Sequence, residues 1–121
     1  MFERASKKTG LPLSVLVAVA QVESNFNPGA ESKAGARGLL QVLPSTAREL
    51  KMDLDDPGAD VLAGARYLKR MVDLFGSFDL ALAAYNAGPT AVARAGQAPS
   101  EETRSYVSDV LERSQELAGC S

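Results

Sequence analysis

Thirteen consecutive residues, 10–22 (GLPLSVLVAVAQV), carry no charged side chain, and the run ends on a carboxylic acid, Glu23. A stretch this apolar is expected to form a helix buried through most of its circumference. On such a helix Leu16, Val19 and Ala20 stand seven, four and three residues before Glu23, on its own face. The acid then shares a stripe with aliphatic carbon, near a helix C-terminus where the macrodipole opposes negative charge. Both effects raise its pKa, so that the group can stay protonated near neutral pH and donate that proton. The plain alternative is an acid at a helix end whose carboxylate reaches water.

Composition narrows what the rest can be. With 121 residues the chain is expected to be one domain, 1–121, able to bury a core without metals or disulfides. There is no histidine and one cysteine, Cys120. That excludes His/Cys zinc sites, Ser-His-Asp and Cys-His catalysis, and an internal disulfide. Cys120 reads as a tail residue, with an intermolecular link as the alternative. A net charge of −2 offers no electrostatic case for nucleic acid. The apolar run is shorter than the roughly 20 residues that span a bilayer. It also lacks the small-residue cleavage site of a signal peptide. No stable membrane insertion of the domain is expected. The chain could be cytosolic, or a mature or trimmed domain of an exported protein.

Glycine and proline divide the chain into helices. An opening helix over 1–8 ends at Gly10, and Pro12 suits the first turn of the apolar helix, which runs to about Ser24. Residues 25–38 read as loop, with the turn signal Asn27-Pro28-Gly29. Short helices are expected over 39–43 and from Pro44 to about Lys51. Asp56-Pro57 reads as an N-cap with proline at the first helical position. Val61, Ala65, Leu68, Val72 and Phe75 then recur at helical spacing up to Gly76. A second buried helix, 78–86, has LALAAY at its centre. Gly88-Pro89 breaks it, and a short helix runs to Gly96. The last helix starts near Ser100, with Tyr106, Val107, Val110, Leu111 and Leu117 as its core stripe. No strand pattern appears, so the fold class is mainly α.

The two buried helices end in polar residues, Glu23-Ser24-Asn25 and Tyr85-Asn86. A buried carboxyl and a buried phenol each need a hydrogen-bond partner, so the two ends are expected to meet, with the Tyr85 hydroxyl facing Glu23. A core tyrosine bonded to a backbone carbonyl is the alternative.

Residues 23–47, ESNFNPGAESKAGARGLLQVLPSTA, resemble the first motif of the soluble-type lytic transglycosylases, glycoside hydrolase family 23. AAYNAGP at 83–89 resembles the second motif and ETRSYV at 102–107 the third. Leu40 stands where methionine is commoner, a volume-conserving difference. The resemblance implies a single lysozyme-like domain acting on bacterial peptidoglycan glycan strands. It implies Glu23 as catalytic acid/base, Ser24 in support, Ser32, Gln41 and Leu43 along the glycan groove, and Tyr85 and Asn86 at the carboxyl and the sugar. Glu102 and Tyr106 would contact substrate. Thr46 is either part of the motif's function or an ordinary first-turn residue after Pro44. A periplasmic or extracellular setting, a monomer and no cofactor are implied as well.

The chemistry fits one carboxylate. Most glycosidases use two, with substrate-assisted families among the exceptions. Asp53, Asp55, Asp56, Asp60, Asp73 and Asp79 read as solvated, which leaves Glu102 as the only other acid near the groove. The resemblance implies cleavage of the β-1,4 bond between N-acetylmuramic acid and N-acetylglucosamine, with the sugar's own C6 hydroxyl as nucleophile and a 1,6-anhydro product. Two rival readings are a goose-type lysozyme, which would use water instead, and an idle peptidoglycan-binding module, which would lack the acid or the tyrosine. Gly35-Ala36-Arg37-Gly38 fits the G-x-x-G loop of KH domains. With neither strands nor a basic face, that reading is rejected.

Overall fold

In the computed structural model, which describes residues 1–56 and 58–119, the glycines and prolines divide the helices much as the sequence suggests. α1, Phe2–Thr9, stops at Gly10, and α2, Leu13–Ser24, follows from Pro12. α3 is the short Pro44–Glu49, and α4, Ala59–Phe75, ends at a left-handed Gly76. α5 covers Phe78–Ala87, α6 Pro89–Ala95 and α7 Glu101–Gly119. Among the described residues there is no named strand, only isolated bridges from Arg37 to Glu31 and to Val42.

The apolar run does become the centre of the core. Val15, Leu16, Ala18, Val19 and Ala20 of α2 are buried. In α5 the consecutive residues Ala81, Leu82, Ala83 and Ala84 are all buried, so neighbours cover every side of that helix. α7 lies along α2 and α5, and α4 packs on α1 and α5. Tyr106 and Val110 carry the buried part of the α7 stripe, while Val107, Leu111 and Leu117 are partly buried.

Two expectations about local structure are corrected. Residues 39–43 do not form a helix but a tight turn, because Gly38 at φ 86° and Gln41 at φ 51° leave helical backbone space. Leu39, Leu40 and Val42 are nonetheless buried. The N-cap of α4 is Gly58 rather than Asp56, and Asp56 accepts the Ala59 N–H through its backbone carbonyl. Pro57 and Cys120 lie outside the described residues, so the expectations about them stay as stated.

Gly64, in the middle of α4, is a packing notch that the periodicity does not reveal. A Cβ there would stand 2.5 Å from Leu40 Cδ2, 2.6 Å from Leu40 Cβ and 3.0 Å from the Tyr85 hydroxyl. Alanine in a helix interior ordinarily stabilises by up to about 1 kcal/mol over glycine. Overpacking costs about 1–3 kcal/mol, and a clash with a Cβ cannot be relieved by a side-chain rotation. Gly64→Ala is therefore expected to destabilise the protein by about 1–2 kcal/mol in denaturant titration. A gain in stability would mean that Leu40 and Tyr85 do not press on α4.

Candidate active site

Glu23 is the penultimate residue of α2, half-buried between aliphatic side chains and α7. Its Oε2 accepts a hydrogen bond of 2.9 Å from the Tyr106 hydroxyl, and Tyr106 is buried. Loss of solvation raises the carboxyl pKa from 4.5 to about 7, the Tyr106 bond pulling weakly the other way. The raised pKa expected from the apolar run is thus present, but the partner expected for Glu23 is not. Tyr85 instead donates to the backbone carbonyl of Leu40 at 2.6 Å. Its hydroxyl still feels the Glu23 charge, which together with burial lifts its own pKa well above the usual range, burial being the larger cause.

Tyr85 belongs to a set of clamps that fix the Leu39-Leu40 backbone from three helices. The Ser24 hydroxyl of α2 reaches both Ala20 O, at 2.9 Å, and Leu39 O, at 2.8 Å. Asp60 of α4 accepts the Leu39 N–H at 2.8 Å, and Tyr85 of α5 holds Leu40 O. Asp60 is therefore not a solvated helix-entry acid. It is half-buried and engaged, and its carboxylate leaves no room for a side chain at Gly38. Gln41 Nε2 donates to Ala30 O at 3.1 Å and Gly38 O at 2.8 Å, tying the same turn to the preceding loop.

A cavity of about 200 Å³ opens beside these clamps, lined by Gln41, Leu43, Tyr85 and Asn86 together with Thr46 and Tyr67. Four residues expected along the groove or at the sugar thus meet in one place. Leu43 is 40% exposed, an uncovered aliphatic surface on the cavity wall. Asn86 Oδ1 accepts from the Thr103 hydroxyl at 2.9 Å, and Thr103 is buried and bonded in turn to Ser100. That bond fixes the Asn86 side chain at the cavity wall. Larger cavities of about 540, 520 and 420 Å³ lie elsewhere and contain none of the expected site residues.

Other expected residues stand apart from this cavity. Ser32 is exposed, and its Oγ accepts the Ala36 N–H at 3.0 Å as a loop staple. Glu102 is exposed in the first turn of α7 and does not line the cavity. Sequence reasoning missed Tyr67, Asp60, Gly64 and Thr103. Only Thr103 carried a signal, since it lies inside the ETRSYV motif.

Fold and site together define a helical, lysozyme-like domain built around one half-buried acid. Residues 1–107 match the family model described as "Transglycosylase SLT domain", and the chain belongs to that family. It is 34% identical to a soluble lytic murein transglycosylase of Escherichia coli K12, over 92% of this chain and 21% of the relative. It is 35% identical to a transglycosylase of Enterobacteria phage PRD1, over 97% of this chain and 43% of the relative. An inactive glutamate-to-glutamine mutant of the lytic transglycosylase Slt from Pseudomonas aeruginosa superposes with a TM-score of 0.80. It shares 31% identity over 97% of this chain and 24% of that one. The chain thus spans about a fifth of the Escherichia coli relative's length.

The raised pKa has a consequence for stability. The folded state binds the Glu23 proton more tightly than the unfolded chain, so the contribution of Glu23 to stability is greatest at low pH and is lost as pH rises from 4.5 through about 7. Above that window the ionised carboxylate costs at most about 3 kcal/mol. Glu23→Gln removes this cost and keeps the shape. Its melting temperature is expected to exceed wild type by several degrees at pH 8 and by little at pH 5. An equal difference at both values would mean that the carboxyl is not desolvated in the fold.

Proposed function

We propose that this domain is a peptidoglycan lytic transglycosylase that cleaves the β-1,4 bond between N-acetylmuramic acid and N-acetylglucosamine without consuming water. The observation that carries this reading is a single desolvated carboxyl, Glu23, raised to about 7 with no other carboxylate among the causes of its shift. Such a group is about half protonated at neutral pH and can serve as general acid, then as general base. The names of the Escherichia coli and phage relatives support the same activity.

In this reading Glu23 gives its proton to the glycosidic oxygen as the bond from the anomeric carbon breaks. Positive charge develops on the muramic acid ring, where the N-acetyl group can stabilise it. The C6 hydroxyl then forms the new bond to the anomeric carbon and returns its proton to Glu23, closing a 1,6-anhydro ring. Proton and electron counts balance, and the acid is regenerated. Tyr106 hydrogen-bonds the ionised carboxylate between the two transfers, the role first expected of Tyr85.

Gln41, Leu43, Tyr85 and Asn86 serve as the sugar-facing wall, with Thr46 beside them. Ser24 supports the site by fixing the Leu39 carbonyl, Ser32 shapes the loop over the groove, and Glu102 meets the strand at the rim. The helices share one core, which supports treating 1–121 as one domain. No helix among the described residues is long and apolar enough to cross a membrane. Peptidoglycan as substrate would place the domain in the periplasm or outside the cell, where it would act as a monomer.

Digestion of purified peptidoglycan should release muropeptides ending in 1,6-anhydro-N-acetylmuramic acid, 18 mass units lighter than the hydrolysed equivalents (about one water), as read by mass spectrometry. Products with free reducing ends would identify a lysozyme. Intact glycan strands after digestion by folded protein would identify a binding module.

A further inference from the structure

Of the aspartates expected to be solvated, Asp53, Asp55, Asp56, Asp73 and Asp79 are exposed, and Asp60 alone is half-buried. No lysine or arginine forms an ion pair with it among the described residues. It stands in the first turn of α4, where the helix dipole favours a carboxylate. Its Oδ2 accepts the Leu39 N–H at 2.8 Å. That N–H belongs to the Gly38–Leu39 peptide, whose carbonyl end is held as well. Gly38 O accepts the Gln41 N–H at 3.2 Å and Gln41 Nε2 at 2.8 Å. One peptide unit thus joins Asp60 on its N–H side to Gln41 on its carbonyl side.

A peptide next to glycine is easily turned, because Gly38, at φ 86°, has no Cβ to restrain its torsions. Rotating this peptide would swing Gly38 O away from Gln41 and leave the Gln41 amide nitrogen with Ala30 O alone, at 3.1 Å. A hydrogen bond from the N–H to a carboxylate is stronger than one to a neutral acceptor, and it opposes that rotation. The close approach is specific to glycine, since a Cβ at Gly38 would overlap the Asp60 carboxylate and stand 2.9 Å from Asp60 Cβ. Gln41 lines the cavity of about 200 Å³ and Asp60 does not, so any effect of Asp60 on that wall passes through the peptide.

We propose that Asp60 is a positioning residue of the active site, holding the Gly38–Leu39 peptide in the orientation that fixes Gln41 at the cavity wall. The proposal rests on the transglycosylase reading above and adds to it a residue outside the three motifs. What matters is an acceptor at this place, more than a negative charge.

The test compares Asp60→Asn, Asp60→Ala and Asp60→Glu as steady-state enzymes on a soluble tetrasaccharide of alternating N-acetylglucosamine and N-acetylmuramic acid, well below each melting temperature. Asn keeps an acceptor oxygen in place and loses the charge, so KM should stay within about twofold of wild type. Ala removes the acceptor, and KM should rise by about threefold to tenfold, the worth of one neutral hydrogen bond, with kcat little changed. Glu keeps the charge but is one methylene too long for the contact at Gly38, and should raise KM as Ala does. A residue needed only for folding would instead lower the apparent kcat with the folded fraction and leave KM alone. If the Ala protein does not fold, the comparison of Asn with Glu decides. An unchanged KM in the Glu protein, or an Asn protein as impaired as the Glu protein, would overturn the proposal while leaving the activity standing. A wild-type protein that does not cleave the tetrasaccharide would overturn the transglycosylase reading and this proposal together.

Discussion

The carboxyl of Glu23 is taken out of water where α2 meets α7, and the Tyr106 hydroxyl is its one hydrogen bond among the described residues. The rest of the site depends on that arrangement. Burial of a lone acid is unfavourable to the ionised form, so the fold itself stores a bias toward the protonated acid. The apolar length of α2 creates the bias, and packing of α7 along α2 keeps it. Tyr106 tempers it by stabilising the anion, leaving the group near the midpoint of its titration at neutral pH. A stronger donor set would lower the carboxyl pKa, while loss of the Tyr106 hydroxyl would raise it further. One phenol leaves both states accessible.

Beside the acid, the turn at 38–42 acts as a fixed wall. A turn with three buried apolar side chains and two backbone positions at positive φ would be costly if its polar groups went unpaired. Here the Leu39 carbonyl goes to Ser24, the Leu39 N–H to Asp60 and the Leu40 carbonyl to Tyr85. These three side chains come from α2, α4 and α5, so the turn registers the helices against one another. Gly64 permits the closest of these approaches by leaving space for Leu40 and Tyr85. The side chains of Gln41 and Asn86 on the cavity wall are fixed in the same way, since each spends one end of its amide on the protein.

Much of this was legible in residue order. Gly10, Gly76 and Gly88-Pro89 punctuate the helices, and an uncharged run ending in Glu23 already announces a desolvated acid. What failed was pairing at long range. Tyr85 and Tyr106 both lie on helices with buried faces, and nothing local says which phenol reaches Glu23 and which is captured by a carbonyl. The helix expected over 39–43 failed because Gln41 takes up a left-handed conformation that side-chain periodicity does not encode. Asp60 looked like an ordinary first-turn acid, because an N–H partner 21 residues away leaves no mark on sequence spacing. Gly64 and Tyr67 likewise acquire meaning only once the 38–42 turn and α5 pack against α4.

The claim on which this account turns is that Glu23 titrates far above an ordinary carboxyl. Carbon-13 labelling of the glutamate side chains, with the Glu23 carboxyl resonance assigned by its loss in Glu23→Gln, reads that titration directly. The account predicts a midpoint near 7 in the wild-type protein and a higher one in Tyr106→Phe, where a donor to the anion is lost. A midpoint near 4.5 that ignores Tyr106→Phe would contradict it, leaving Glu23 a solvated acid at the end of α2.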